Sequence, residues 1–173
     1  MHAITVRPES SDDARAIDVV HISAFGGEAE AHLISALRDS AGYSRELSLV
    51  AELNGRIVWH VLLTRVPLRH NGEEKNVLAL GPMSVVPSQS HRGIGSELIQ
   101  ACLELAREKG YGAIVVVGYP EYYKRFGFVT ARECQVSCNL PAPDDALTVM
   151  EIVAGNLEGG GHVEYPEPFM SLY

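Results

Sequence analysis

Ser88 to Leu98 reads SQSHRGIGSEL, and its glycines and arginine stand where an anion would be held. An apolar run, NVLALGPMSVVP (Asn76 to Pro87), precedes it and an amphipathic pattern follows, so a strand feeds a glycine loop that opens a helix. A helix N-terminus presents unpaired backbone N–H groups and roughly half a positive charge, and glycine lets that backbone close around an anion without Cβ clashes. His91, Arg92, Gly93, Ile94, Gly95 and Ser96 are therefore the expected phosphate cradle, with Arg92 adding a fixed cation. Two nucleotide readings fail on residue type. A P-loop requires Lys-Ser/Thr after its last glycine, and Gly95 is followed by Ser96-Glu97; a dinucleotide fingerprint requires a third glycine where Leu98 stands.

A second segment, GYPEYYKRFGF (Gly118 to Phe128), follows another apolar strand, AIVVVG, and puts Tyr123 four residues before Gly127-Phe128. Val-x-Pro, glycine loop, helix, strand and tyrosine in this order resemble the GNAT superfamily of acyl-CoA-dependent N-acyltransferases, whose loop motif is Gln/Arg-x-x-Gly-x-Gly/Ala. The run from Tyr122 to Phe128, the early GGEAEAHLISAL (Gly26 to Leu37) and the terminal GHVEYPEPF (Gly161 to Phe169) are most similar to the small YhbS-like bacterial branch. The resemblance spans nearly the whole chain. Three positions depart from it: Ser90 replaces Gln or Arg, Gly118-Tyr119-Pro120 replaces Gly-Asp-Pro, and Val58-Trp59-His60 replaces Val-Gly-His.

The resemblance implies an α/β fold with a mixed, mostly antiparallel sheet flanked by helices and splayed central strands. It implies acetyl-CoA as co-substrate and, as acceptor, a primary amine of a small molecule or protein that attacks the thioester directly. Pantetheine would lie along Met83, Ser84, Val85 and Val86, with a backbone N–H near Val85 polarising the carbonyl. Tyr123 is the expected general acid, since a phenol of pKa about 10 keeps its proton at neutral pH. Tyr122, next along the helix, points about 100° away. Glu28 or Glu30 is the expected base, at the start of a helix bordering the acceptor cleft, and His60 lies on a strand beneath it. A second reading keeps the cradle in a non-catalytic acyl-CoA-binding or partner-binding domain whose acceptor pocket Trp59 fills.

The elements that must position these residues are legible. Ile4 to Arg7 predicts a strand, Ser11 to Phe25 a helix started by Asp12 and Asp13, and Glu28 to Ala41 a second helix after Gly26-Gly27. Leu47 to Leu53, Ile57 to Val66 and Val77 to Val86 predict an antiparallel meander turned at Asn54-Gly55 and His70-Asn71-Gly72. Gly81-Pro82 interrupts its last strand, and proline cannot donate to a ladder, so a bulge is expected there. Ile94, Leu98, Ile99, Cys102, Leu105 and Ala106 repeat at helical spacing up to Lys109-Gly110. Ala113 to Val117 should then run parallel to Val77 to Val86, because a helix crossover joins them. A short helix over Glu121 to Arg125, a strand from Phe128, a proline-rich turn, a strand over Ala146 to Val153 and a glycine turn at Gly159 to Gly161 complete the pattern.

At 173 residues the chain fits one domain, residues 1–173, with a real core. Its 14 Lys and Arg against 22 Asp and Glu argue against nucleic-acid binding. No segment approaches the roughly 20 apolar residues of a membrane span, and MHAITVRPESSDD lacks a signal-peptide pattern, so a cytoplasmic location is expected. Cys102, Cys134 and Cys138 predict reduced thiols, neither a disulfide framework nor a metal site. A homodimer is compatible with this composition.

Overall fold

The computed structural model describes residues 4–90 and 93–173. Its elements are β1 (Ile4–Pro8), α1 (Ala14–Phe25), α2 (Ala29–Arg38), β2 (Ser48–Leu53), β3 (Arg56–His70), β4 (Glu73–Val85), α3 (Ile94–Glu108), β5 (Ala113–Val117), α4 (Pro120–Lys124), β6 (Val129–Thr130), β7 (Val136–Cys138), β8 (Leu147–Glu151) and β9 (Gly161–Val163). One sheet runs in the order β1-β2-β3-β4-β5-β8-β6, with β9 against β3 and β7. β4 and β5 are parallel, as are β7 and β9; the other pairs are antiparallel.

Asn54-Gly55 and Asn71-Gly72 all take positive φ, as a two-residue type I′ hairpin loop demands. The second turn closes a longer arm than the apolar pattern predicts. Pairing extends to His70↔Glu73, and β9 joins it at Leu68 and Arg69, so the ladder carries residues that burial alone does not mark. The three-residue strands β7 and β9 are too short to leave a periodic signal. β9 begins at Gly161, within the expected glycine turn, and α2 stops at Arg38 rather than Ala41.

Alternation along the strands divides the core into two layers. Val77, Ala79 and Val115 face α1, α2 and the C-terminal 3₁₀ segment Glu167–Leu172, together with Ile17, Leu33, Ile34, Leu37 and Phe169. Leu78, Leu80, Ile114 and Val116 face α3 and α4, together with Ile94, Leu98, Ile99, Cys102 and Tyr123.

The interruption at Gly81-Pro82 sits where the site requires it. Val61 pairs with Met83 and Leu63 with Leu80, so β4 bulges opposite Leu62. The β4–β5 ladder consists of Leu78↔Ile114 and Ala79↔Val115, while β5 goes on pairing with β8 as far as Val117↔Leu147. Beyond Ala79 the two central strands therefore diverge.

Candidate active site

A cavity of about 320 Å³ opens where the strands part. Leu80 to Met83 of the bulge, Val116 to Tyr119 at the end of β5, and Tyr122 and Tyr123 of α4 form its floor and one side. Phe25, Glu30 and Leu33 from the α1–α2 corner form another, and Tyr165, Phe169, Leu172 and Tyr173 close it from the C-terminus.

Tyr123 is buried at 9% exposure, with its ring tilted against Phe128 at 5.6 Å. Burial, reinforced by Tyr122, Cys102 and Tyr173, pushes its pKa well above the ordinary phenol value, so the hydroxyl is protonated throughout the physiological range. Tyr122 stands perpendicular to it, ring centroids 5.1 Å apart, and also lines the cavity. A Cβ built on Gly95 would run into the Tyr122 hydroxyl. The expectation that Tyr122 turns away thus needs correcting: its hydroxyl reaches the start of α3, where the anion cradle was placed.

At that start, Gly93 is the N-cap in the left-handed conformation and no side chain caps the helix. Ser96 N–H donates to the Gly93 carbonyl at 3.2 Å, and among the described residues the amides of Ile94 and Gly95, the other first-turn donors, meet no acceptor. His91 and Arg92 lie outside the described residues. Ser90 is not a ligand donor here, because its hydroxyl donates to the Pro87 carbonyl at 2.9 Å.

On β4, Val86 N–H donates to the Val58 carbonyl at 2.8 Å. Antiparallel alternation assigns Ser84, opposite His60, to the same set and turns the N–H and C=O groups of Met83 and Val85 toward the gap left by β5. Of the four groove residues expected, Met83 and Val85 offer unspent backbone, whereas Ser84 and Val86 do not. Met83 and Val85 are half-buried, and their unpaired backbone groups form an edge that a ligand with amides of its own can complete. The divided edge and the uncapped glycine turn fit a long ligand carrying amides at one end and a pyrophosphate at the other.

The two candidate bases separate. Glu30 is half-buried and lines the cavity; Glu28 is exposed, precedes α2 and does not line it. His60 is fully buried between Ser48 and His21, at 2.8 Å from each, and desolvation holds it well below the usual imidazole pKa. It is a satisfied core histidine without access to the cavity. Trp59 is likewise a core residue, 1% exposed in the layer under α3, so it does not fill the acceptor pocket. Sequence reasoning did not assign Phe25 or the terminal aromatics to the site. The GHVEYPEPF segment was visible, but only the chain's return across α2 brings Tyr165 and Phe169 to the cavity.

Cys102 is fully buried and its thiol is pushed up to about 12, which leaves it inert. Among the described residues the three cysteines are unpaired, no cluster of metal-binding side chains occurs, and no helix is long and apolar enough to cross a membrane.

The Acetyltransferase (GNAT) domain matches residues 5–131, and the chain belongs to that acetyltransferase family. Among its relatives is the protein named uncharacterized N-acetyltransferase YhbS of Escherichia coli K12, 31% identical over 166 residues, 95% of this chain and 97% of the relative. The uncharacterized N-acetyltransferase YjhQ of the same organism is 32% identical over 143 residues, 83% of this chain and 77% of that protein. The crystal structure of Escherichia coli YhbS in complex with CoA superposes with a TM-score of 0.90 at 30% identity, covering 98% of this chain and 93% of that one. A Brucella melitensis GNAT acetyltransferase in complex with acetyl-CoA gives 0.78 at 30% identity, with 98% and 99% covered.

Proposed function

We propose that the chain is an N-acetyltransferase that uses acetyl-CoA and delivers the acetyl group directly to a primary amine, as a single catalytic domain. The observation that carries this is the unpaired edge of Met83 and Val85, which starts at Met83 on the lining of a cavity floored by Tyr123. When bound, acetyl-CoA supplies an activated acyl carbon and a thiolate leaving group.

In this reading Met83 and Val85 hold the pantetheine amides as an added strand, and the Val85 N–H polarises the thioester carbonyl. The amides of Ile94 and Gly95 receive the pyrophosphate, with Arg92 and His91 contributing to the same loop. Tyr123 donates its hydroxyl hydrogen bond toward the departing sulfur. A phenol is a weaker acid than a thiol and burial of Tyr123 widens the gap, so its main contribution is that hydrogen bond, with the proton following as charge develops. Glu30, which lines the cavity, takes the proton of the amine.

Calorimetric titration with acetyl-CoA, followed by thiol release in the presence of amines, tests the reading. Binding together with amine-dependent release above the hydrolysis blank is expected. Binding without release from any amine would favour the non-catalytic alternative, which Trp59 no longer supports since it lies in the core.

A further inference from the structure

We propose that the acceptor is a primary monoamine on an apolar alkyl or arylalkyl body. This rests on the acetyl-transfer reading above and adds what the acceptor must look like. Much of the cavity wall is hydrocarbon, from Leu33, Leu80, Pro82, Phe169 and Leu172; besides Glu30 the polar side chains are neutral tyrosines, and the buried Tyr165 hydroxyl has no partner among the described residues.

Its mouth is aromatic. Phe25, Tyr119 and Tyr173 remain 49%, 84% and 45% exposed, and they are the exposed aromatic side chains among the described residues. All three line this cavity. Aromatic surface left in water and gathered at one opening marks a binding site, and ring faces attract an organic cation as well as an apolar body.

Charge sets the number of amines. Glu30 is the one charged group in the lining, which contains no Lys, Arg or His among the described residues. A single carboxylate offsets a single ammonium. A polyamine or aminoglycoside would carry further ammonium groups against apolar walls and neutral tyrosine hydroxyls, with no second carboxylate in the lining to offset their charge, and uncompensated desolvation of charge is costly. The net charge of −8 attracts all cations alike at long range, so selection falls to the lining. About 320 Å³ lies at the small end of ligand pockets and must also admit the thioester end of acetyl-CoA beside Met83 and Tyr123, which leaves room for one ring or short alkyl chain.

The same walls assist the chemistry. Partial desolvation lowers the pKa of an ammonium against the opposing pull of Glu30, and the ammonium gives its first proton to solvent before attack. The nitrogen lone pair forms the N–C bond to the acyl carbon as the C–S bond breaks. The bonding pair leaves with sulfur, which takes its proton from Tyr123 while the nitrogen gives one up to Glu30, and exchange with solvent returns Glu30 to carboxylate and Tyr123 to phenol. The products are the N-acetylamine and free CoA thiol.

The experiment uses the full chain. Calorimetry with acetyl-CoA comes first, and absence of binding would overturn the acetyl-transfer reading and this one together. With binding established, thiol release is compared for 2-phenylethylamine, hexylamine, spermidine, kanamycin and a hexapeptide with a free N-terminal alanine. At least about a ten-fold higher kcat/KM for 2-phenylethylamine than for spermidine, kanamycin or the peptide is expected. Equal or better turnover of any of these three, or no release from either apolar amine, overturns the acceptor class while leaving acetyl-CoA binding intact. L172E provides a second measurement. It should raise KM for 2-phenylethylamine about ten-fold and lower that for spermidine, with acetyl-CoA affinity unchanged; no movement in either KM would overturn the wall's role in choosing the acceptor.

Discussion

Nε2 of His21 lies 2.8 Å from Nδ1 of His60, fully buried between α1 and β3. The contact belongs to a chain, since His21 Nδ1 meets Ser84 Oγ at 2.8 Å and His60 Nε2 meets Ser48 Oγ at 2.8 Å. Two neutral imidazoles can fill it only if every donor points the same way along the chain. The histidines thereby tie β2, β3, β4 and α1 together immediately behind the groove. Phe25, stacked on His21 with centroids 6.1 Å apart, separates them from the cavity.

Desolvation, with Arg38 adding repulsion, lowers His21 to about 4 and His60 well below its model-compound value of 6.5. The unfolded chain therefore binds protons below pH 6.5 that the folded one refuses, and stability is lost as pH falls from 6.5 toward 4. Each histidine contributes a slope of up to about 1.4 kcal/mol per pH unit. Asp13, held at about 2 by Arg7, loses its contribution only below its own unfolded value of 3.8, so the windows separate. Urea denaturation between pH 7 and 4.5 should show the decline, and a flat profile would rule out neutral buried histidines.

Tyr123→Phe should lower kcat about 10²-fold with acetyl-CoA affinity nearly unchanged, the low end for loss of a general acid because a thiolate leaves readily. Single-turnover thiol release, paired with calorimetry, measures both quantities. Full turnover in the variant would remove Tyr123 from the chemistry.

Tyr122→Phe should act on the other parameter. Its hydroxyl abuts Gly95, so its removal should change acetyl-CoA affinity by about two- to ten-fold while leaving the kcat of the saturated enzyme close to wild type. Gly95→Ala displaces the same hydroxyl and narrows the cradle. In a Tyr122→Phe background the displacement vanishes, so any weakening of acetyl-CoA binding that persists reports the cradle itself. Complete restoration of affinity by Tyr122→Phe would place the ligand elsewhere.

The sequence carried the site's frame because its signals are local. Gly81-Pro82 forces a bulge wherever it falls in a strand, and Gly93 opens α3 whatever surrounds it. The resemblance supplied the role expected of Tyr123 and the expectation of a splay. What could not be read depends on distant partners. Ser84 and Val86 differ from Met83 and Val85 only through the hydrogen-bonding phase against β3, which one residue's change of register would invert. Glu30 and Glu28 are two residues apart, and only the approach of the C-terminal segment to α2 puts one of them on the cavity. His21 followed the apolar spacing of α1, but its partners lie 39 and 63 residues away in sequence.

Arg38 couples the acid response to the fold. It pairs with Glu9, whose carboxylate is 4% exposed, at 3.0 Å, and Tyr43 donates to the same carboxylate at 3.1 Å. Arg38→Leu leaves that carboxylate buried with one hydrogen bond and no counter-charge, and should cost about 3 kcal/mol at pH 8. It also removes the positive charge that opposes protonation of both histidines. Their folded pKa values should rise toward 6.5, so the fall in stability between pH 6.5 and 4.5 becomes shallower than in wild type even though the variant starts lower. Urea denaturation of both proteins at pH 8, 6.5 and 4.5 tests the two effects together. A steeper acid slope in Arg38→Leu would show that the arginine does not act on the histidine pair.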